Sequence, residues 1–263
     1  MVRAMKDPES LTRDNEQFSA FLDHEILVIR EKKHIFHLTH DIEEILSLYD
    51  YMGSVLLSKE CKALVMFARS AQSLRLEHSR FLSTILSGDL ESPYLDRFLN
   101  VVNRYILSLP ALNCMTVFAG QGMVSMFYLN TGLAYDYRIV AEDTVFENPG
   151  LDVGLITKGS GYFLPRLLGI RKATEVLQLR SFSAEEALRL GLVDRIVPVS
   201  RLEEETMQFA SRNEANLSPY LLGIRKLFKC DIKELKRSLE LEDDLIKKRI
   251  QSGEFRRGPW TLS

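Results

Sequence analysis

Two stretches of the chain carry side chains that could do chemistry. His34, His37 and His40 recur at a spacing of three, and imidazole is the commonest metal ligand. That spacing suits neither face of a strand, and no Cys or carboxylate spacing completes a ligand set, so these read as surface and loop histidines with no metal bound. The second stretch is residues 148–161, where Asp152 and Lys158 sit among Pro149, Gly150, Gly154 and Gly159. A loop of this composition can present both groups to orient a substrate. Cys61, Cys114 and Cys230 are odd in number and scattered, and two of them have apolar neighbours, which predicts reduced core thiols of an intracellular protein.

The elements that must position these groups follow from the hydrophobic pattern. The 263 residues, 46% hydrophobic and 27% charged, fit one globular domain with a small appendage. A net charge of -2 and a pI near 6.3 give no global basic surface. Nucleic acid is therefore not an expected partner, and any phosphate-bearing ligand needs local basic spots. The polar N-terminus lacks the apolar stretch of a signal peptide and no run approaches a membrane span, so the expectation is a soluble cytoplasmic protein. Residues 25–30 and 34–38, joined by the charged triplet Glu31-Lys32-Lys33, read as a hairpin, and residues 42–57 as a helix with apolar side chains at helical spacing. The continuous apolar run 62–68 reads as a strand buried on both faces. Two amphipathic helices, 76–86 and 94–107, precede a second apolar strand, 112–122, that leads into a helix over 123–134. Residues 136–198 then give a strand, a tight turn, a short extended piece, a loop, and helices stopped at Gly169 and Gly191, with Ser183 as N-cap and Glu186 three residues on. Helices over 201–213 and 235–250 follow, the latter acidic first and basic last as the helix dipole favours.

Residues 136–198 resemble the crotonase (enoyl-CoA hydratase/isomerase) superfamily in type and spacing. The matching positions include Asp136, Arg138-Ile139-Val140-Ala141, Pro149, Gly154-Leu155, Gly159, Gly161, Leu164-Pro165-Arg166-Leu167-Leu168-Gly169, Glu186-Ala187, Gly191-Leu192-Val193-Asp194 and Val197-Pro198. The resemblance implies a crotonase-like α/β fold of repeated ββα units with a helical C-terminal region. Its parts are a flexible tail over 1–14, a core over 15–200, and a helical trimerisation region over 201–263 that in the family packs on a neighbouring subunit. A homotrimer or hexamer is implied with it. Fold alone does not choose the reaction, since this scaffold hosts hydratases, isomerases, decarboxylases, dehalogenases and hydrolases.

The resemblance also implies an oxyanion hole made by two backbone amides. One belongs near Ala71, in a turn that here lacks the family's glycines. The other falls at Phe127, because an ungapped count from Asp136 puts Met126, Phe127 and Tyr128 where the family has three glycines. The same count puts Asn130 and Gly150 at the two acid/base glutamates of a hydratase. An amide orients water but cannot take its proton, and glycine does neither, so ordinary hydration is not expected. Asn130, Tyr128 and Asp152 become the candidate catalytic side chains, with Glu147, Lys158 and His78 close in sequence to the expected pocket. Lys226, on a helix after Ser218-Pro219, is the candidate contact to the nucleotide of coenzyme A. The implied function is an acyl-CoA or acyl-carrier-thioester enzyme, a lyase or isomerase working by enolate stabilisation, with coenzyme A entering as part of the substrate and no tightly bound cofactor. The alternative is a binding or scaffold subunit that keeps the fold and has lost the chemistry.

Overall fold

The structure, a computed structural model, describes residues 11–34, 42–55, 61–70, 74–86, 93–214, 223 and 231–252. A seven-stranded sheet takes the order β1 (Arg13–Asp14), β2 (Phe18–Asp23), β3 (Ile26–Glu31), β4 (Ala63–Phe67), β5 (Met115–Gly120), β7 (Tyr137–Ala141) and β10 (Arg195–Val197). The first three strands pair antiparallel and the rest are parallel. A second sheet holds β6 (Met123–Ser125), β8 (Val145–Glu147) and β9 (Ser181–Ser183) in the order β6-β8-β9.

The apolar runs of β3, β4 and β5 are covered on both faces, as continuous hydrophobic strands of a parallel sheet must be. Successive side chains point to opposite faces: Leu64 and Met66 join the larger core, while Ala63 and Val65 join Val28, Val117 and Ile139 on the other side. Helix α8 (Leu202–Glu214) closes that second face with Leu202 and Ala210. The larger core is shared with α1 (Ile42–Val55), α2 (Leu74–Leu86), α3 (Pro93–Ser108) and α4 (Met126–Gly132). Helices α5 (Pro149–Val153), α6 (Ser160–Leu177), α7 (Ala184–Arg189) and α9 (Ile232–Gln251) complete the described elements.

Residues of the 136–198 signature hold this frame together. Asp136 accepts the Thr116 N–H at 2.7 Å and its hydroxyl at 2.9 Å, tying β7 to β5. Asp194 accepts the Arg138 N–H at 2.7 Å and pairs with its guanidinium at 2.7 Å, tying β7 to the approach of β10. Ser183 and Glu186 form a full capping box on α7. Helix α6 is broken at Gly169, whose φ of 74° and ψ of 157° are helical for no residue.

Three expectations change. The hairpin joins β2 to β3 through His24 at φ 54°; β3 pairs with β2 on one edge and β4 on the other, which leaves no edge for the expected partner 34–38, of which 35–38 lie outside the described residues. His34 is buried, not on the surface, and lies edge-on to the Tyr128 ring at 4.8 Å, while His37 and His40 lie outside the described residues. Residues 123–125 are a strand, so the helix after β5 starts three residues late, at Met126. Within the expected tail, Leu11 is buried and its carbonyl accepts the Tyr51 O–H at 2.5 Å, and β1 pairs with β2. Cys61 and Cys114 are buried thiols not joined in a disulfide, with sulfurs 3.6 Å apart. Cys230 falls outside the described residues.

Candidate active site

The start of α4 fixes the site. Ser125 sits in extended backbone and caps the helix, its Oγ accepting the Tyr128 N–H at 3.4 Å. The first-turn N–H groups of a helix point out of its N-terminal end and carry the positive end of its dipole. Ser125, Met126 and Phe127 line an open-mouthed pocket with about 80 Å³ of room inside it, narrower than an ordinary ligand cleft. The other walls come from α2, α3, Pro149 and Gly150 of α5, residues 155–158, and Ile246 and Ile250 of α9.

The lining is mostly apolar, and three aromatic rings form one wall. Phe81 packs on Phe98 with centroids 5.0 Å apart, and Phe98 on Phe127 at 6.4 Å. The Phe127 ring is thereby laid along a wall, and the pocket persists beside it.

Among the described residues, two ionisable side chains line this space. His78, on α2, is 8% exposed. Burial pushes its imidazole down to about 4, against the opposing pull of the Asp152 charge. Lys158 is 3% exposed and is committed to α9: its Nζ donates to the Leu239 carbonyl at 2.8 Å and to Asp243 at 2.6 Å, with Glu242 at 3.6 Å. The Glu242 carboxylate in turn accepts the N–H groups of Gly159 at 2.8 Å and Gly161 at 2.7 Å, at the start of α6. Desolvation raises its pKa, against the stabilising pull of Lys158 and those two amides.

The residues singled out in the sequence are only partly gathered here. Gly150 is on the lining, and a Cβ built there would sit 2.8 Å from the Leu155 carbonyl oxygen. Asn130 is fully buried next to Gly159 and off the lining, and neither polar atom of its amide has a hydrogen-bond partner. Tyr128 turns away from the pocket and donates its O–H to Glu31 at 2.9 Å. Asp152 is off the lining too, paired with Arg180 and 3.9 Å from Arg75. Glu147 is half-buried on β8, where it pairs with Ser125 of β6. Lys158 lines the pocket but serves α9. Ala71 and Lys226 lie outside the described residues.

Sequence reasoning missed Glu31. One carboxylate oxygen accepts the Tyr128 hydroxyl and the other the Arg69 N–H at 3.0 Å, joining the segment after β4 to α4. Part of the residue reaches solvent, yet the neighbourhood of the carboxyl is dense enough that desolvation pushes it up to about 8. Its place in a charged triplet pointed to a turn and gave no sign of this.

A family model described as "Enoyl-CoA hydratase/isomerase" matches residues 101–261. The chain therefore belongs to the enoyl-CoA hydratase/isomerase family, and the crotonase-like fold expected from residues 136–198 is the one observed. Among curated proteins it is similar to a "Probable enoyl-CoA hydratase EchA12" of Mycobacterium tuberculosis, 34% identical over 122 residues, which is 45% of this chain and 43% of that protein. The match thus spans less than half of that relative's length. Among solved structures, enoyl-CoA hydratase from Bacillus halodurans superposes with a TM-score of 0.79 at 22% identity, covering 92% of this chain and 98% of that one. An enoyl-CoA hydratase from Mycobacterium avium subsp. paratuberculosis gives 0.74 at 18% identity, covering 92% and 93%. At these identities the superpositions speak for the fold.

Proposed function

We propose that the pocket at the start of α4 binds an acyl thioester, of coenzyme A or an acyl carrier, and stabilises its enolate. The carbonyl oxygen is held by the amide N–H of Phe127 and by an amide near Ala71, and coenzyme A enters as part of the substrate with no resident cofactor. Electrostatic stabilisation of this kind needs donors aimed at developing charge, and a capped helix N-terminus opening on an apolar pocket supplies that. This is the observation that carries the reading. With Asn130 off the lining and no room for a side chain at 150, the chemistry is isomerase- or lyase-like and differs from ordinary hydration.

The test is isothermal titration with acetyl-CoA and with free CoA, followed by turnover of crotonyl-CoA. Binding of acetyl-CoA, with hydration far below the roughly 1–1,000 per second usual for enzymes, is the expected outcome. No heat and no thermal shift at millimolar ligand would instead favour the second reading, a scaffold subunit. Its specific support is that the pocket's lysine is spent on holding α9. In the proposed assembly the chain forms a homotrimer or hexamer in the cytoplasm; no helix among the described residues is long and apolar enough to cross a membrane.

A further inference from the structure

We propose that His78 is the acid–base group of this pocket, taking a proton from the α-carbon of a bound acyl thioester and returning it to carbon. The inference rests on the acyl-thioester reading above and adds to it the residue and the reaction class. The two ionisable groups on the described lining are His78 and Lys158, and an imidazole has a nitrogen that can accept a proton, whereas the Lys158 ammonium held by Leu239 and Asp243 has none. Asp152, the carboxylate nearest in role to a lost glutamate, is spent on Arg180 and Arg75 and does not reach the lining. His78 shares the pocket with Phe127, whose amide is assigned to the carbonyl oxygen.

The step balances without any further reactant. The α-C–H bond breaks, its electron pair moves into the enolate with negative charge on the thioester oxygen, and the proton goes to the imidazole. Reprotonation at the α-carbon gives exchange. Reprotonation at the γ-carbon of a 3-enoyl thioester's dienolate moves the double bond into conjugation. Neither needs a second acid–base group, whereas hydration needs one group to activate water and another to deliver a proton.

The imidazole has the strength for this. Burial penalises its cation, which brings it to about 4, in the range of the carboxylates that it replaces. Proton transfer here creates the imidazolium and the enolate together, so the two new charges offset one another in the low-dielectric pocket. The charged groups of the described elements around His78 are Arg75, Glu77 and Arg80 on its own helix, Asp152 from α5 with Arg180 beside it, and Lys158 from the 155–158 segment. The portions of α3 and α9 that line the pocket are apolar. Asp152 is the one that favours the cation.

The experiment is hydrogen–deuterium exchange at the α-carbon of butyryl-CoA in D2O, followed by NMR, with affinity measured by titration calorimetry. Wild type should exchange these protons faster than free solution. His78→Ala and His78→Gln should lower the rate by about a hundredfold or more, as loss of a general base does, while the affinity moves by less than about threefold. A wild type that binds butyryl-CoA without accelerating exchange overturns the proposal, and so does a folded His78 variant that keeps the rate. A wild type that does not bind sinks the thioester reading itself. Should both variants fail to fold, the acid limb of the wild-type pH profile decides: on warming, an imidazole limb moves to lower pH, while a limb that stays put marks a carboxyl base and overturns the assignment.

Discussion

The count from Asp136 assigns Gly150 to a position expected to hold a carboxylate in a hydratase, and the backbone leaves a carboxylate no room there. Because a Cβ there meets the Leu155 carbonyl oxygen at 2.8 Å, Gly150→Glu should not create crotonyl-CoA hydration, and denaturant unfolding should show a loss of about 1–3 kcal/mol from overpacking. Glu31 offers a second residue-scale prediction. Its folded pKa of about 8 lies above the ordinary 4.5, so the fold favours the protonated form. The stability this contributes is fully present below about 4.5 and is lost as pH rises to about 8. Thermal melts should show wild type losing Tm relative to Glu31→Gln across that window, with the difference level on either side of it. A constant difference from pH 4 to 9 would mean that the carboxyl is not perturbed.

At the scale of elements, the lock between the 158–161 segment and α9 is the most consequential contact. Breaking a buried ion pair on one side leaves an uncompensated charge, so Lys158→Met should cost about 3–5 kcal/mol, read by denaturant unfolding. Glu242→Gln should cost less, because an amide oxygen still accepts from Gly159 or Gly161. Most elements were legible in the sequence where one local signal dominated: the apolar run of β4, the glycine stops at 169 and 191, the capping box of Ser183 and Glu186. The hairpin was misplaced because residues 18–23 carry a weaker alternating pattern than the runs around them. Counting from Asp136 put Phe127 within a residue of the start of α4, a position that local spacing alone fixes. The site was not legible across the pocket, because Phe81, Phe98 and Ile246 reach Phe127 only through tertiary packing. No spacing rule links residues that far apart. Asp152 and Lys158 were read as substrate groups because the sequence shows the charges but not the partners that engage them.

At the scale of the whole molecule, apolar side chains stay open on the outer faces of α6 and α9. Ile170 is 78% exposed and Leu241 is 58% exposed, with Leu167 and Leu245 beside them in sequence. Exposed apolar surface of this kind marks interfaces, and closed symmetric assembly is the usual way to cover it. Multi-angle light scattering should give three or six times the 30.2 kDa chain mass; a monomer at micromolar concentration would remove the trimer from the proposed function. Helix α9 itself lies on α3 and α6 of its own chain, on α3 through Asn103 to Asp243 at 2.6 Å and Lys247 to Asp96 at 2.6 Å, and on α6 through the Gly161 N–H to Glu242 at 2.7 Å. Lys158 and Asp243 are 85 residues apart in the chain, which at ribosomal speeds is roughly 4–17 s of synthesis. Throughout that interval the lysine and the amides of Gly159 and Gly161 exist without their carboxylates, so the nascent chain finishes its pocket only after α9 has left the tunnel.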